Sequence, residues 1–308
     1  MRITVTKTLA GALVAMAAAM TVPAQAASRA TAATPAGCPA NRAPVTQGSK
    51  WTGNASGTTY DASGTSFTQT KDNLLPVVLN GGGTCLVNVK VTGNFATSMK
   101  WWDLKQCCNG AGVTVNAPAT LVNPRIVNAS TDGIRIWKSA AVTVRGAYET
   151  GTRDDCISAI THGDLVVDDS LMDGCHTGIS WRSGSKSAPS FKLRVTNSLF
   201  YVKPQANSGS GGNCKEWVTG GKANGTMWKM DNFKGPIYVE NTVIRMDLAN
   251  HQCVDLWPSG TFKNVKLVWN NTKAYPGKLP AGVTLTRDVG VWNAARTAWL
   301  QAHGYPTA

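Results

Sequence analysis

The chain has 308 residues and a formal net charge of +13, and hydrophobic residues make up 43% of it. This length is ample for a large core and fits either one elongated domain or two compact ones. After residue 26, no stretch is long and apolar enough to span a bilayer, which excludes membrane insertion of the mature chain. The excess of Lys and Arg favours an anionic polymer as partner, because a basic cleft concentrates an acidic substrate. Solubility, or adhesion to an acidic cell wall, would explain the same excess.

The N-terminus has the features of a secretory signal peptide. Arg2 and Lys7 provide the positive region, an apolar run covers residues 9–22, and Ala-Gln-Ala at 24–26 is a small-residue cleavage pattern. We therefore expect cleavage after residue 26 and a secreted or periplasmic protein. Export argues against nucleic acid as the natural partner.

The mature part is expected to be a single monomeric domain over residues 37–308. Residues 27–36, rich in Ala, Ser, Thr and Pro, are expected to form a flexible lead-in to it.

The cysteine content also fits an exported protein. The chain has eight cysteines, and an even number in an exported chain indicates disulfides. The candidate pairs are Cys38 with Cys85 and Cys214 with Cys253, whereas the adjacent Cys107 and Cys108 are expected to bond to different partners. No Cys/His spacing is typical of a zinc site, so no metal is predicted.

Short β-branched segments recur through the body of the chain, each closed by Asn, Asp, Ser or Gly. The first set occupies residues 113–116, 141–146, 164–170, 192–198, 236–242 and 262–268. Val144 and Val167 are 23 residues apart, and Val167 and Val195 are 28 apart. A repeated phrase of strand and turn at intervals in the twenties is typical of a solenoid.

A second set of strands interleaves with the first, so each solenoid turn, here called a rung, has at least two strands. This set occupies residues 133–137, 156–160, 178–182 and 226–230. Because side chains alternate along a strand, Ile134 and Ile136 should enter the core and Arg135 and Trp137 should point outward.

These patterns predict an all-β fold, a right-handed parallel β-helix. Residues 37–83 should form an N-terminal cap and the first rungs. Residues 291–300 have helical spacing and should cover the open end of the solenoid, as the terminal unit of a repeat protein must. The Trp pair of that segment, Trp292 and Trp299, should be buried.

Acidic residues and a histidine fall at corresponding points of three consecutive rungs. Asp132, Asp154 and His176 are spaced by 22 residues each, and Asp155 adjoins Asp154. In a β-helix these side chains would stack about 5 Å apart, so one carboxyl group should keep its proton to a higher pH. An acid beside an ionised carboxylate is what glycosidic bond hydrolysis requires. A purely structural role is the alternative, because Asp often bonds to the backbone at such corners.

The phrases Thr131-Asp132-Gly133-Ile134, Asp154-Asp155-Cys156-Ile157 and His176-Thr177-Gly178-Ile179 resemble the polygalacturonase family of glycoside hydrolases. The chain as a whole looks like exported bacterial β-helix proteins of the pectin-lyase-like type. The resemblance implies a right-handed β-helix that hydrolyses polygalacturonate with inversion. It implies that Asp132, Asp154 and Asp155 are the catalytic carboxylates, with Asp154 as general acid and His176 as the active-site histidine.

Five further residues are candidates for binding a polysaccharide substrate. Basic side chains would bind its carboxylates or sulfates, and Trp137 would stack on a sugar ring. The candidates are Arg135, Trp137, Arg182, Lys203 and Lys229. No cofactor is expected for a hydrolase.

Two other functions remain open from the sequence. One is a polysaccharide lyase, in which the acidic residues bind calcium and Arg182 or Lys229 removes a proton beside the substrate carboxylate. The other is a non-enzymatic protein that binds carbohydrate or a cell surface through one face of the solenoid.

Overall fold

The computed structural model describes residues 35–138, 140–160, 163–182, 191–206, 222–223, 225–231, 235–249 and 257–307. The predicted signal peptide, most of the predicted lead-in and the predicted pair of Cys214 with Cys253 lie outside these residues.

Twenty-five strands and two helices follow one another in the described residues. The elements are β1 (Arg42–Pro44), β2 (Trp51–Gly53), β3 (Thr59–Asp61), β4 (Phe67–Gln69), β5 (Val77–Leu79), β6 (Thr84–Val87), β7 (Lys90–Gly93), α1 (Trp101–Cys107), β8 (Ala111–Val115), β9 (Ala119–Val122), β10 (Arg125–Val127), β11 (Asp132–Ile136), β12 (Val142–Arg145), β13 (Tyr148–Thr150), β14 (Asp155–Ala159), β15 (Leu165–Asp168), β16 (Leu171–Cys175), β17 (Thr177–Arg182), β18 (Leu193–Thr196), β19 (Leu199–Val202), β20 (Gln205–Ala206), β21 (Lys222–Ala223), β22 (Trp228–Asp231), β23 (Ile237–Met246), β24 (Thr261–Trp269), β25 (Val283–Thr286) and α2 (Val289–Ala302).

Most of the described strands stack into three parallel ribbons, which confirms the parallel β-helix, and β20 and β21 form a separate antiparallel pair. Ribbon A has the order β2-β5-β8-β11-β14-β17-β22, ribbon B the order β1-β3-β6-β9-β12-β15-β18, and ribbon C the order β4-β7-β10-β13-β16-β19. The long strand β23 pairs with β18 through its first half and with β19 through its second, so it joins ribbons B and C. Each central rung therefore has three strands, one more than the minimum that the sequence predicted.

The core is a set of apolar columns that run along the solenoid. In ribbon A, Val113, Ile134, Ile157 and Ile179 are partners in consecutive strands and are fully buried. As predicted, Ile136 is also buried. Parallel strands need this continuous burial, since each strand contributes only two or three inward side chains of its own.

Asparagines with positive φ form the corner between ribbons B and C. Asn197, Asn241 and Asn264 adopt φ values of 51°, 49° and 51°. Their side-chain amides bond to one another at 3.2 and 2.9 Å. Asn tolerates the left-handed region better than other residues with a Cβ, and the amide ladder satisfies polar groups that a tight corner exposes.

Helix α2 lies along the outer side of ribbon C and the strands that continue it, not over the end of the solenoid as the sequence predicted. Its buried residues Trp292, Trp299 and Leu300 pack with Leu171 and Leu199, which point outward from neighbouring strands. Those outward positions are apolar in several rungs, and this creates a lateral strip that a helix can cover. The burial of both tryptophans is as predicted.

Three disulfides link described cysteines. Cys38 bonds to Cys85 as predicted, and Cys156 bonds to Cys175 inside the solenoid. Cys107 bonds to its neighbour Cys108. The expectation of different partners for these two was wrong, because both lie at the end of α1 with no other described cysteine sulfur available there.

The disulfides fit a protein that folds outside the reducing cytoplasm. No helix among the described residues is long and apolar enough to cross a membrane.

Candidate active site

Four polar residues meet where the chain passes from ribbon C to ribbon A. Asp132 begins β11, Asp155 begins β14 one rung later, and His176 immediately precedes β17 on the third rung. Oxygens of Asp132, Asp154 and Asp155 all lie within 4.8 Å of one another. The 22-residue spacing thus brings the predicted residues together, because one rung advances the chain by one strand spacing.

Helix α1 covers this cluster. The Trp101 Nε1 donates a 2.8 Å hydrogen bond to one oxygen of Asp154, and Lys105 Nζ lies 3.2 Å from the other. The Trp101 ring stacks on the His176 imidazole with a centroid distance of 4.7 Å. As a result Asp132 and Asp154 are only 3% and 4% exposed.

Asp132 is held by Arg135, which lies on the same strand. The Arg135 Nε is 2.7 Å from Asp132 Oδ2, and its Nη2 donates to Asn109 Oδ1 at 2.5 Å and to the Gly110 carbonyl at 3.0 Å. The guanidinium therefore ties the first carboxylate of the cluster to the segment that follows α1. The Nε and Nη2 donors are engaged within the protein, so Arg135 fixes Asp132 in place.

The pKa values of Asp132 and Asp154 are shifted in opposite directions. Burial, and next the charge of Asp155, raise the pKa of Asp132 to about 7. The Arg135 ion pair opposes this rise, but the loss of hydration and the neighbouring carboxylates outweigh it.

Burial also disfavours ionisation of Asp154, yet its pKa is lowered. The cations Lys229 and Lys105, with His176 and the Trp101 hydrogen bond, stabilise its charged form. As the pH falls below about 7, Asp132 thus takes up its proton while Asp154 keeps its negative charge.

The cations beside the cluster bear on whether it could bind a metal ion. Lys105 and Arg135 pair with Asp154 and Asp132, and Lys229 Nζ lies 3.8 Å from Asp155 Oδ1. Calcium needs six to eight oxygen ligands, and here each carboxylate already faces a protein cation. The three aspartates could hold a metal ion by their spacing, but calcium would have to displace these ion pairs.

The predicted substrate-binding residues differ in how they lie around the cluster. Arg135 is buried, whereas Trp137 is 50% exposed with the Arg135 guanidinium 5.5 Å from its ring centroid. Lys229 is partly exposed beside Asp155. Lys203 is exposed, and its backbone N–H donates to the Cys175 carbonyl oxygen at 2.8 Å. Arg182 ends β17, but its side chain lies outside the described residues.

A disulfide holds two of the strands that carry the site. Cys156 follows Asp155 and Cys175 precedes His176, and their bond crosses the core between β14 and β16. The cross-link fixes the distance between the third and second rungs at the cluster.

A buried glutamate lies behind the cluster. Glu149 points into the core from β13, in register with Ile126 and Met172 of the neighbouring strands. A Cβ at position 133 would lie 1.9 Å from Glu149 Oε2, so Gly133 provides the space for the carboxyl group. Burial raises the pKa of Glu149 well above its usual range.

The sequence did not reveal the roles of Lys105, Asn109 and Glu149. A helix of seven residues within a β-rich chain gives little periodicity, and its contact with residues about fifty positions later is a tertiary effect. The alternation around Glu149 does identify it as an inward residue of an unusual type.

No protein-family model, no curated protein and no solved structure matches this chain.

Proposed function

We propose that the protein is a secreted glycoside hydrolase that cleaves an anionic polysaccharide. The observation that carries this proposal is the pair of carboxyl groups with opposite pKa shifts, Asp132 raised to about 7 and Asp154 lowered. A protonated acid and an ionised carboxylate within 4.8 Å supply the two groups that glycosidic hydrolysis uses.

In this proposal Asp132 donates its proton to the oxygen of the leaving sugar. Asp154, assisted by Asp155, acts from the ionised state on the anomeric carbon, either directly or through a water. The motif resemblance to polygalacturonases implied Asp154 as the acid. The surroundings of the two groups favour the reverse, because Asp154 has two lysines beside it. His176 contacts Asp154 with Nδ1 at 3.9 Å and supports its charge.

The separation of the carboxyl groups bears on stereochemistry. One oxygen of each carboxyl group lies within 4.8 Å of the other, nearer to the about 5–5.5 Å of retaining enzymes than to the about 6.5–9.5 Å that leaves room for a water in inverting ones. This separation favours retention of configuration, whereas the polygalacturonase resemblance implies inversion. Proton NMR of the anomeric configuration in the first product distinguishes the two mechanisms.

Substrate access requires α1 to move. The cluster is buried under Trp101 and Lys105, and the latter occupies an oxygen of Asp154. A saccharide must take the place of these contacts, and Trp101 would then be available to stack on a sugar ring. Until α1 moves, its covering of the cluster excludes water, which strengthens the electrostatic effects between the charged groups there.

An anionic substrate fits the charge around the cluster. Lys105 and Lys229 are partly exposed at its rim, with 25% and 23% of their side chains accessible. Each could pair with a substrate carboxylate once α1 is displaced.

The test is a paired assay of the wild type with Asp132→Asn and Asp154→Asn on acidic and neutral polysaccharides. Reducing ends report hydrolysis, and ultraviolet absorbance reports the unsaturated product of a lyase, each with and without a calcium chelator. We expect reducing ends without absorbance, unaffected by chelation, and a loss of about 10²–10⁴-fold in each variant.

Lys263→Ala, at an exposed ion pair outside the site, is the control and should keep full activity. Absorbance that depends on calcium would establish a lyase. Wild-type activity in both aspartate variants would overturn the catalytic roles of Asp132 and Asp154. No cleavage of any polymer would overturn the proposal in favour of a binding role.

A further inference from the structure

A basic groove lies at the start of the ribbon C strands, whereas the aspartate cluster follows their ends. Its volume is about 570 Å³. One side is the corner between ribbons B and C, with Asn88, Asn123 and Gly146, and the other is the segment after α2, with His303 and Tyr305. The groove therefore extends along consecutive rungs, parallel to the solenoid axis.

The wall beyond α2 is fixed by aromatic stacking. His303 stacks on Trp299 with a centroid distance of 3.9 Å, and its Nε2 lies 3.1 Å from Asp169 Oδ2. The Tyr305 ring contacts Tyr148 at 4.7 Å and Trp299 at 5.8 Å. The groove is thus formed before any ligand arrives, which lowers the entropy cost of binding.

The floor of the groove is basic. Lys90 and Arg125 are Cα partners in adjacent strands, so their side chains emerge about 4.8 Å apart along the axis. None of the described residues that line the groove is acidic, and no described carboxylate lies within ion-pair distance of either cation. The Arg125 guanidinium lies 5.6 Å from the Tyr305 ring centroid and 6.0 Å from that of Tyr148, which restricts its position.

We propose that this groove binds an oligosaccharide that carries uronate carboxylates, at a site separate from the aspartate cluster. Arg125 offers a planar pair of N–H donors that matches a carboxylate, and Lys90 offers a second charge one rung away. Tyr305 offers a ring for stacking. The spacing of the cations along the axis suits a linear chain with charges at repeated intervals.

The test measures binding without turnover, in the Asp154→Asn background, by calorimetry with a purified oligogalacturonate. The groove variant is Lys90→Gln with Arg125→Gln. The matched control is Lys266→Gln with Arg194→Gln, which removes the same charge elsewhere and also breaks an arginine–tyrosine contact. We expect affinity to fall about tenfold or more in the groove variant and to stay near the parent value in the control.

A neutral oligosaccharide and higher salt complete the design. The neutral sugar should bind much more weakly than the uronate, and salt should weaken uronate binding more in the parent than in the groove variant. Equal affinity of the groove variant and the parent, or equal binding of neutral and acidic sugars, would overturn the proposal. Circular dichroism confirms that each variant is folded. Because no cleavage is measured, this result does not depend on catalysis by the aspartate cluster, and any binding at the cluster is common to the parent, the groove variant and the control.

Discussion

At the scale of single residues, the core of the solenoid accommodates one acidic side chain. Glu149 occupies a position that Ile126 and Met172 fill in the adjacent strands, and its described hydrogen-bond partner is Thr152, at 3.4 Å. Burial raises its pKa because the charged form loses its hydration there. A buried carboxyl group with a raised pKa makes folding less favourable as pH rises, since the native state must retain a proton that the unfolded chain releases.

Glu149→Gln should therefore be more stable than the wild type at pH 8 and about equally stable at pH 4. Below the unfolded pKa of a glutamate, near 4.3, both states carry the proton, and glutamine mimics that neutral form. Thermal unfolding at the two pH values measures the difference. Equal melting temperatures at pH 8 would show that Glu149 is ionised in the folded protein or accessible to water.

At the scale of elements, α1 joins the fold through a small apolar contact of its own. Leu104 and Cys108 are fully buried with Phe95, in a cluster separate from the main core. A helix of seven residues is too short to be stable without such packing. The contacts of Trp101 and Lys105 with Asp154 therefore contribute to holding α1 over the site, and a ligand that replaces them should release it.

Hydrogen exchange of the segment around α1 should accelerate when an oligosaccharide substrate binds to Asp132→Asn, which keeps the contacts of α1 with Asp154. The helix α2 is the internal control, because it packs on ribbon C and should show unchanged protection. Exchange measured by mass spectrometry reports both segments in one experiment. Slower exchange at α1 on binding would mean that the helix closes over the substrate and is not displaced by it.

The packing of helix α2 predicts how much one of its tryptophans contributes to the free energy of unfolding. Trp292 is 1% exposed and packs in the lateral apolar cluster against ribbon C. Trp292→Ala should lower the free energy of unfolding by about 3–5 kcal/mol, as for other buried aromatic truncations. Denaturant unfolding measures the change, with Trp102→Ala, at a largely exposed tryptophan, as the control. A change below about 1 kcal/mol would show that α2 contributes little to the stability of the solenoid.

At the scale of the whole molecule, the repeat of β-branched phrases was enough to predict the parallel β-helix and the register of the aspartates. Strands of ribbons A and B were recognised because inward and outward residues alternate clearly in them. Ribbon C was missed because several of its outward positions, such as Leu171 and Leu199, are apolar and hide the alternation. Only the packing of α2 explains those residues, and no local pattern shows where a helix will dock.

The site was predictable in its carboxylates and histidine but not in their charge states. Equal spacing placed Asp132, Asp154 and His176 together, because each rung repeats the same path. The pKa values depend on Lys105 and Trp101, which come from a helix outside the repeat. The motif resemblance takes no account of this helix and indicates Asp154 as the acid, whereas the surroundings of the two groups favour Asp132.

The most direct test of the central claim is the pH dependence of kcat/KM on an anionic oligosaccharide, compared between the wild type and Glu149→Gln. Asp132 must be protonated and Asp154 ionised, so activity should decline as pH rises through about 7 and decline again in acid, where Asp154 takes up its proton. The alkaline decline should be unchanged in Glu149→Gln, which assigns it to Asp132 and not to the buried glutamate. The range from about pH 6 to about pH 9 spans the expected midpoint near 7. Activity that stays constant over this range would contradict the assignment of Asp132 as the acid.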